Sequence, residues 1–495
     1  MLKATLRSAV LLALVALGMV VTSLPSFAEV QNVKVGGDVT VRAFHRENLD
    51  LRQEDDGAEF LGVAPTLDDE DDFIMQTTAV NIGADLTENV AANIRITNER
   101  DWDSTGSTTE NRTDIDLSQA YITLKELFYA PLTLRVGTQP ISWGRGFILG
   151  SNLLPGILGI GDDRNAAITA NEFTDFTAFD AIRATFDLSG VAGMPVTLDA
   201  VYIKSDENTA GIPDDVNIIG FNLGTRADSM NAEFETYYVN ERDRNEDVLG
   251  AARAGGRTEN EGSVNTLGVR GSAKPAEGIQ TWAELAYQFG RRNPDPSDLL
   301  VGGDAQQAWA ANLAADYTFA DVASSPKVGV EWRFYSGKDV QGAVGGWDPV
   351  APGYFTTALR EFQTSASIAG FYPNDQTCVA GGTSGTTIPC TSAATNQHEI
   401  GLYSSFTPIE DLLVAPRLSW FWHDVGAIPS SNAGVRASSK RESYVGMEWD
   451  TVVNYSYTDD VQLGLIYALF APGSVYVNPF KSTAQELITS VSVKF

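Results

Sequence analysis

The chain has 495 residues, with 34 Lys and Arg against 64 Asp and Glu, and a formal charge of −30. It has no basic footprint for a nucleic acid. Its three histidines come with no GxSxG, HExxH or CxxCH motif, so neither an enzyme site nor a bound cofactor is expected.

The chain opens on a secretory pattern. Lys3 and Arg7 precede an apolar run over 9–21, and Ser26-Phe27-Ala28 offers a small-x-small cleavage site before Glu29. Residues 1–28 are therefore expected to be removed, and the apolar run is short for a spanning helix, which needs about 20 residues. From there to the end, segments of roughly ten alternating residues are separated by turn chemistry. Strands are predicted at 35–46, 73–87, 89–101, 114–125, 131–139, 178–188, 194–205, 216–226 and 230–242. Nine more follow at 264–274, 279–292, 307–319, 326–337, 397–407, 411–424, 443–457, 461–471 and 485–495.

Side chains alternate faces along a strand, and the alternation here is consistent. Trp309, Ala311, Leu313 and Tyr317 alternate with Asn312, Asp316 and Thr318, and Val328, Val330, Trp332 and Phe334 with Lys327, Glu331 and Arg333. Short turns follow the even strands and longer polar loops follow most odd ones. A soluble sandwich has no reason to sort its loops by parity. The last strand ends in the aromatic Phe495. Together these features predict an all-β fold, a transmembrane antiparallel β-barrel of about 18 strands over residues 29–495. It would lie in the outer membrane of a Gram-negative cell, with short periplasmic turns and long extracellular loops.

Two loops stand out. Residues 139–176 begin QPISWGRGFILG and are too apolar to face water, so this loop is expected to fold into the barrel as a constriction. Residues 338–396 form a long extracellular loop holding Cys378 and Cys390, which in an oxidising envelope read as a loop disulfide. The first outer loop carries Glu54, Asp55, Asp56, Glu59 and the run Asp68 to Asp72. It lacks the fixed spacing and turn glycine of a calcium loop, so no metal is assigned to it.

On the lumen parity fall Arg42, Arg95, Arg135, Arg183, Arg270, Arg333 and Arg417, and Gln139, Trp143 and Arg145 join them from the start of the constriction loop. Charged rings inside a pore set selectivity, and the planar fork of arginine suits carboxylates. These residues are expected to line a channel for anionic or polyhydroxylated solutes, with Arg145 at the narrowest point beside Arg135 and Arg183. Acids are as numerous on the same parity, so a bracing network of ion pairs is the competing reading. A barrel that sheathes a secreted or electron-transfer partner is a second alternative. An outer-membrane hydrolase using His423 at one rim is a third.

Residues 116–150 carry a resemblance. An Ala-Tyr strand (Ala120-Tyr121) leads through a hairpin to Leu134-Arg135-Val136-Gly137-Thr138-Gln139 and then to the Gly-rich Gly144-Arg145-Gly146. This arrangement resembles the alginate-export family of outer-membrane barrels, with Thr138 where that family often has arginine. The resemblance implies an 18-stranded porin-like channel for a small solute or a polysaccharide such as an alginate-like polymer. Its implied partners are outer-membrane lipid and periplasmic export proteins.

Two outcomes are expected of the mature protein. Its N-terminal sequence should begin at Glu29, and maleimide labelling without reductant should leave both cysteines unmodified.

Overall fold

The computed structural model describes residues 32–49, 51, 70–102, 115–129, 131–151, 170–206, 215–228, 231–243, 262–291, 305–337, 344–363, 378–379, 387–388, 395–427, 442–476 and 481–495. The expected signal segment, Cys390 and the side chain of Cys378 lie outside the described residues.

Eighteen long strands follow one another along the chain. They are β1 (Asn32–Glu47), β2 (Glu70–Thr87), β3 (Val90–Asp101), β4 (Asp116–Leu124), β5 (Leu132–Gln139), β6 (Phe179–Asp187), β7 (Val196–Asp206), β8 (Val216–Ala227) and β9 (Ala232–Asp243). The second half comprises β10 (Gly262–Ala276), β11 (Ile279–Arg291), β12 (Ala305–Thr318), β13 (Lys327–Tyr335), β14 (Gln397–Ile409), β15 (Leu412–Ala427), β16 (Glu442–Ser456), β17 (Val461–Pro472) and β18 (Ala484–Lys494). Each pairs antiparallel with the next, and β18 pairs with β1, so the sheet closes and no edge remains. Every predicted strand is present, with ends displaced by a few residues. At its start β2 takes in Glu70–Asp72 from the acidic stretch. Among the described residues no helix is long and apolar enough to cross a membrane.

The connections sort by end. Those at one end run from Glu277-Gly278 to residues 319–326, and those at the other from residues 207–215 to 336–396. The short turns use residues that tolerate positive φ: Asn231 at 45°, Gly278 at 75° and Asp411 at 66°. Hairpin turns whose twist matches the strands need that conformation, which Gly, Asn and Asp adopt at least cost.

The two faces differ as the alternation requires. Leu267, Leu285, Trp309, Leu313, Val328 and Leu402 are exposed on the outside, whereas Glu284, Asn312, Asp316, Glu331, Arg333 and Glu399 are buried inside. A charge on the outer face at mid-membrane costs about 2–4 kcal/mol, which keeps charges on the other parity. Outward aromatics pack across strands near the long-loop end, Tyr287 tilted against Trp309 and Phe334 stacked on His398.

The seam where the barrel closes has a tight point. Gly37 and Phe495 exchange both main-chain hydrogen bonds, at 2.8 and 2.9 Å. A side chain at position 37 would meet the Phe495 ring at 2.7 Å and the Ala79 carbonyl oxygen at 2.6 Å. Gly37→Val should therefore destabilise the closed barrel by about 1–3 kcal/mol, seen as a lower temperature for loss of the compact, heat-modifiable band on detergent gels.

Candidate functional site

The lumen is not an open tube. Among the described residues three longer loop segments enter it, each fixed to the wall by chemistry that the strand register supplies, and Leu51 and Val475 pack beside the third.

The first is residues 141–151, the start of the loop after β5. Ile141, Trp143, Phe147, Ile148 and Leu149 are buried against Ile203, Ile218, Tyr237, Val239 and Ala308 of the wall. The Trp143 ring lies over Gly220, and its Nε1 donates to Asp199 at 2.9 Å. Gly144, at φ 56°, passes so close to Arg270 that a Cβ there would meet its side chain at 2.4 Å. Arg145 then crosses to β12 and β13. Its Nη1 donates to Asn312 at 3.2 Å and lies 3.4 Å from Glu331, and its guanidinium sits over the rings of Trp282 (5.0 Å) and Tyr354 (4.1 Å). Burial lowers the pKa of Arg145 from the ordinary guanidinium value, and Glu331 opposes that shift.

The second is residues 170–176, the end of the same loop. Glu172 pairs with Arg46, which also donates to Glu486 at 2.6 Å. Asp175 accepts from Arg95 at 2.5 Å and from Thr97 at 2.8 Å, while Glu99 accepts from the Thr174 hydroxyl at 2.8 Å. Phe173 meets Phe44 in an edge contact, with the Arg42 guanidinium 4.8 Å from the centre of its ring.

The third was not expected. Residues 344–363, read from the sequence as part of a long extracellular loop, turn back into the barrel. Trp347, Val350 and Ala351 join the apolar cluster around Trp143. Gln288 donates to the Asp348 carbonyl at 2.6 Å and accepts from its N–H at 2.9 Å. Further on, a helical turn (Ala358–Gln363) presents its first N–H groups to β16: Ala358 donates to Asp450 at 3.0 Å, and Leu359 and Arg360 donate to Glu448 at 2.6 and 2.8 Å. Those N–H groups have no partner within the helix, so the two carboxylates satisfy them.

The first and third segments are joined to each other. Gly150 N–H donates to Ala351 O at 2.8 Å, Ala351 N–H to Ile148 O at 3.2 Å and Gly353 N–H to Gly146 O at 2.8 Å. A Cβ on Gly353 would lie 2.6 Å from the Gly150 carbonyl oxygen, so only glycine permits this approach. The result is a septum that reaches from the β7–β8 wall to β16.

Behind it the wall carries a ladder of polar side chains in register. Glu235 of β9 stands opposite Arg270 of β10, and Arg270 opposite Glu284 of β11. Glu284 stands opposite Asn312 of β12, Asn312 opposite Arg333 of β13, and Arg333 opposite Glu399 of β14. Arg333 binds Glu399, the Thr356 hydroxyl at 2.6 Å and the Tyr354 carbonyl at 3.2 Å, so the ladder grips the third segment directly.

The residues singled out from the sequence all belong to this interior, in different capacities. Arg95, Arg145, Arg183, Arg270, Arg333 and Arg417 are all ion-paired, Arg183 with Asp199 and Arg417 with both Glu331 and Glu399. Arg42 bonds Thr77 at 3.4 Å and faces Phe173, and Arg135 lies over the Tyr121 ring at 4.7 Å, directly across from Arg183. Gln139 is completely buried and donates to the carbonyls of Arg135, Gly137 and Ala181, so it braces the wall and does not line a path. Arg145 does not join Arg135 and Arg183. Its cationic neighbours are Arg333 and Arg417, because the segment carries it across to the β12–β13 wall. Trp282, Tyr354 and Asn312 were missed as site residues. The one signal for the third segment was the apolar content of GGWDPVAPGYFTTALREF, comparable to that of the first.

Among the described residues one group has the donors for a cation, namely His45, Glu70 and Asp72. It lies on the outward face at the end of β1 and β2, away from the lumen.

The fold has counterparts among solved outer-membrane channels. OccAB2 of Acinetobacter baumannii aligns over 95% of this chain and 99% of its own, with 11% identity and a TM-score of 0.51. OccAB4 of the same organism aligns over 95% of this chain and 100% of its own, with 9% identity and a TM-score of 0.50. At these identities the likeness is one of fold. No curated protein matches the sequence. The model of a family described as alginate export matches residues 48–490, nearly the whole barrel. By that match the chain is a member of the alginate export family of outer-membrane β-barrels.

Proposed function

We propose that this barrel is a constricted, non-enzymatic diffusion channel for polyhydroxylated solutes that carry carboxylates, among them a polysaccharide of the alginate type. The family supports an outer-membrane, porin-like channel. The observation that carries the finer reading is Arg145. It is held between Trp282 and Tyr354 where the two joined loop segments meet the wall, with one fifth of its side chain still accessible. A guanidinium flanked by aromatic faces offers a carboxylate a bidentate donor and offers a sugar ring an apolar surface.

The balance of charge refines the solute class. Most lumen arginines already hold an acid, so a passing carboxylate has to share a guanidinium with a wall carboxylate. That favours weak, successive contacts along a path over one tight site, as conduction requires. Among the described residues His423 bonds the main-chain carbonyl of Asn396 and no serine, which argues for the channel over the hydrolase reading. Export to the outer membrane would follow cleavage after Ala28, with periplasmic partners presenting the solute.

Arg145→Ala should raise unit conductance in planar bilayers and lower the anion-to-cation permeability ratio, because it removes a barrier and a positive charge together. If conductance and selectivity are both unchanged, Arg145 is not at the constriction and this reading fails.

A further inference from the structure

The chain has three histidines, and each has a different setting. His423 is buried, and its Nδ1 bonds the Asn396 carbonyl oxygen. His398 faces outward at the start of β14 and meets one carboxylate, Asp424, at 3.3 Å. His45 faces outward near the end of β1 and meets two. Its Nδ1 lies 2.8 Å from Asp72 Oδ1 and 3.6 Å from Glu70 Oε1. The three donor atoms lie within 4.8 Å of one another, and no other such group of His, Cys, Asp and Glu occurs among the described residues.

Strand register builds this group. In the β1–β2 ladder His45 stands opposite Asp72, and Glu47 opposite Glu70. Residues two apart share a face, so one imidazole and three carboxylates form a single outward block. Glu47 accepts from Gln485 at 3.3 Å, so it adds charge to the block while the other three converge. Like charges directly opposite each other in a sheet are destabilising, and Glu47 faces Glu70 in just that way. His45 can offset at most one of the three negative charges. The outward arginine of β3, Arg100, stands opposite Gln76, about 14 Å further down β2 from Asp72. The block is thus short of positive charge, and it is open to solvent. The side chains of His45, Glu70 and Asp72 are 45%, 65% and 66% accessible.

The donor set selects the ion. Zinc takes imidazole nitrogen and carboxylate oxygen at about 2.0–2.2 Å, so two ligands of a tetrahedral zinc ion lie about 3.4 Å apart. The distances of 2.8 and 3.6 Å from His45 Nδ1 fall on either side of that spacing. Calcium and magnesium prefer oxygen throughout and gain nothing from an imidazole. We infer that His45, Glu70 and Asp72 bind a divalent ion of the zinc class, with water in the fourth position. The ion takes the place of the proton in the His45–Asp72 hydrogen bond, and that proton passes to solvent. It also ties together the two strand ends from which the first outer loop leaves, on the strand that closes the barrel against β18.

The test is isothermal titration of zinc chloride into the untagged protein in detergent. Zinc should bind at a single strong site, and calcium chloride at equal concentration should not displace it. Groups that merely support a metal ligand change affinity by about 10–100-fold. H45Q, E70Q and D72N remove ligands themselves, so each should weaken zinc binding about tenfold or more. H398Q alters the His–Asp pair elsewhere on the rim and should bind zinc as the native chain does. The three ligands are exposed, so the barrel should survive each change, and heat-modifiable migration on detergent gels confirms it. Absence of zinc binding, displacement by equal calcium, native affinity in any of the three ligand variants, or equal weakening in H398Q would overturn the assignment.

Discussion

The pairing of charge inside the lumen is the constraint on which the rest of this structure depends. A charged side chain withdrawn from water needs a partner, and breaking a buried pair by removing one member costs about 3–5 kcal/mol. Arg46, Arg333, Glu331 and Glu399 are almost wholly buried, and each is partnered across strands or to an inward segment. Those bonds do not merely brace the wall. Arg46 holds Glu172, Arg95 holds Asp175, Arg333 holds Thr356, and Glu448 holds two N–H groups of the turn at Ala358–Gln363. The wall charges thus fix where the loops sit, and the loops fix the width of the lumen.

The loops add a second level of fixation by bonding to each other. Glycines at 150 and 353 let two backbones approach more closely than any side chain would allow, and Gly146 supplies a φ of 81° at the same junction. An apolar cluster seals the junction, with Trp143, Leu149, Trp347 and Val350 packed together against the wall. The septum leaves Arg145 at its margin, between two aromatic rings and one acid.

The barrel was legible from the sequence because a two-residue period, parity-sorted loops and turn residues repeat many times over, and repetition averages out local noise. The first inward loop was legible because Ile148, Leu149 and their neighbours have no business in water. The third inward segment escaped notice because its apolar residues are spread among Pro, Gly and Thr, and because a long loop with two cysteines already had a bland explanation outside the barrel. The register ladder from Glu235 to Glu399 could not be read at all. Parity gives the face of a residue, but its partner depends on how far each strand is slid against the next. The same gap explains why Arg145 was grouped with Arg135 and Arg183. These are its neighbours along the chain, whereas the loop delivers it to strands seven and eight places further round.

The central claim is that two joined loop segments narrow this channel. The most direct measurement is single-channel conductance in planar bilayers for the native protein and for a variant in which residues 346–359 are replaced by a short Gly/Ser linker. Removing the third segment also removes the partner of the first, so the account predicts a several-fold rise in unit conductance with the barrel still intact on gels. An intact barrel with unchanged conductance would contradict it.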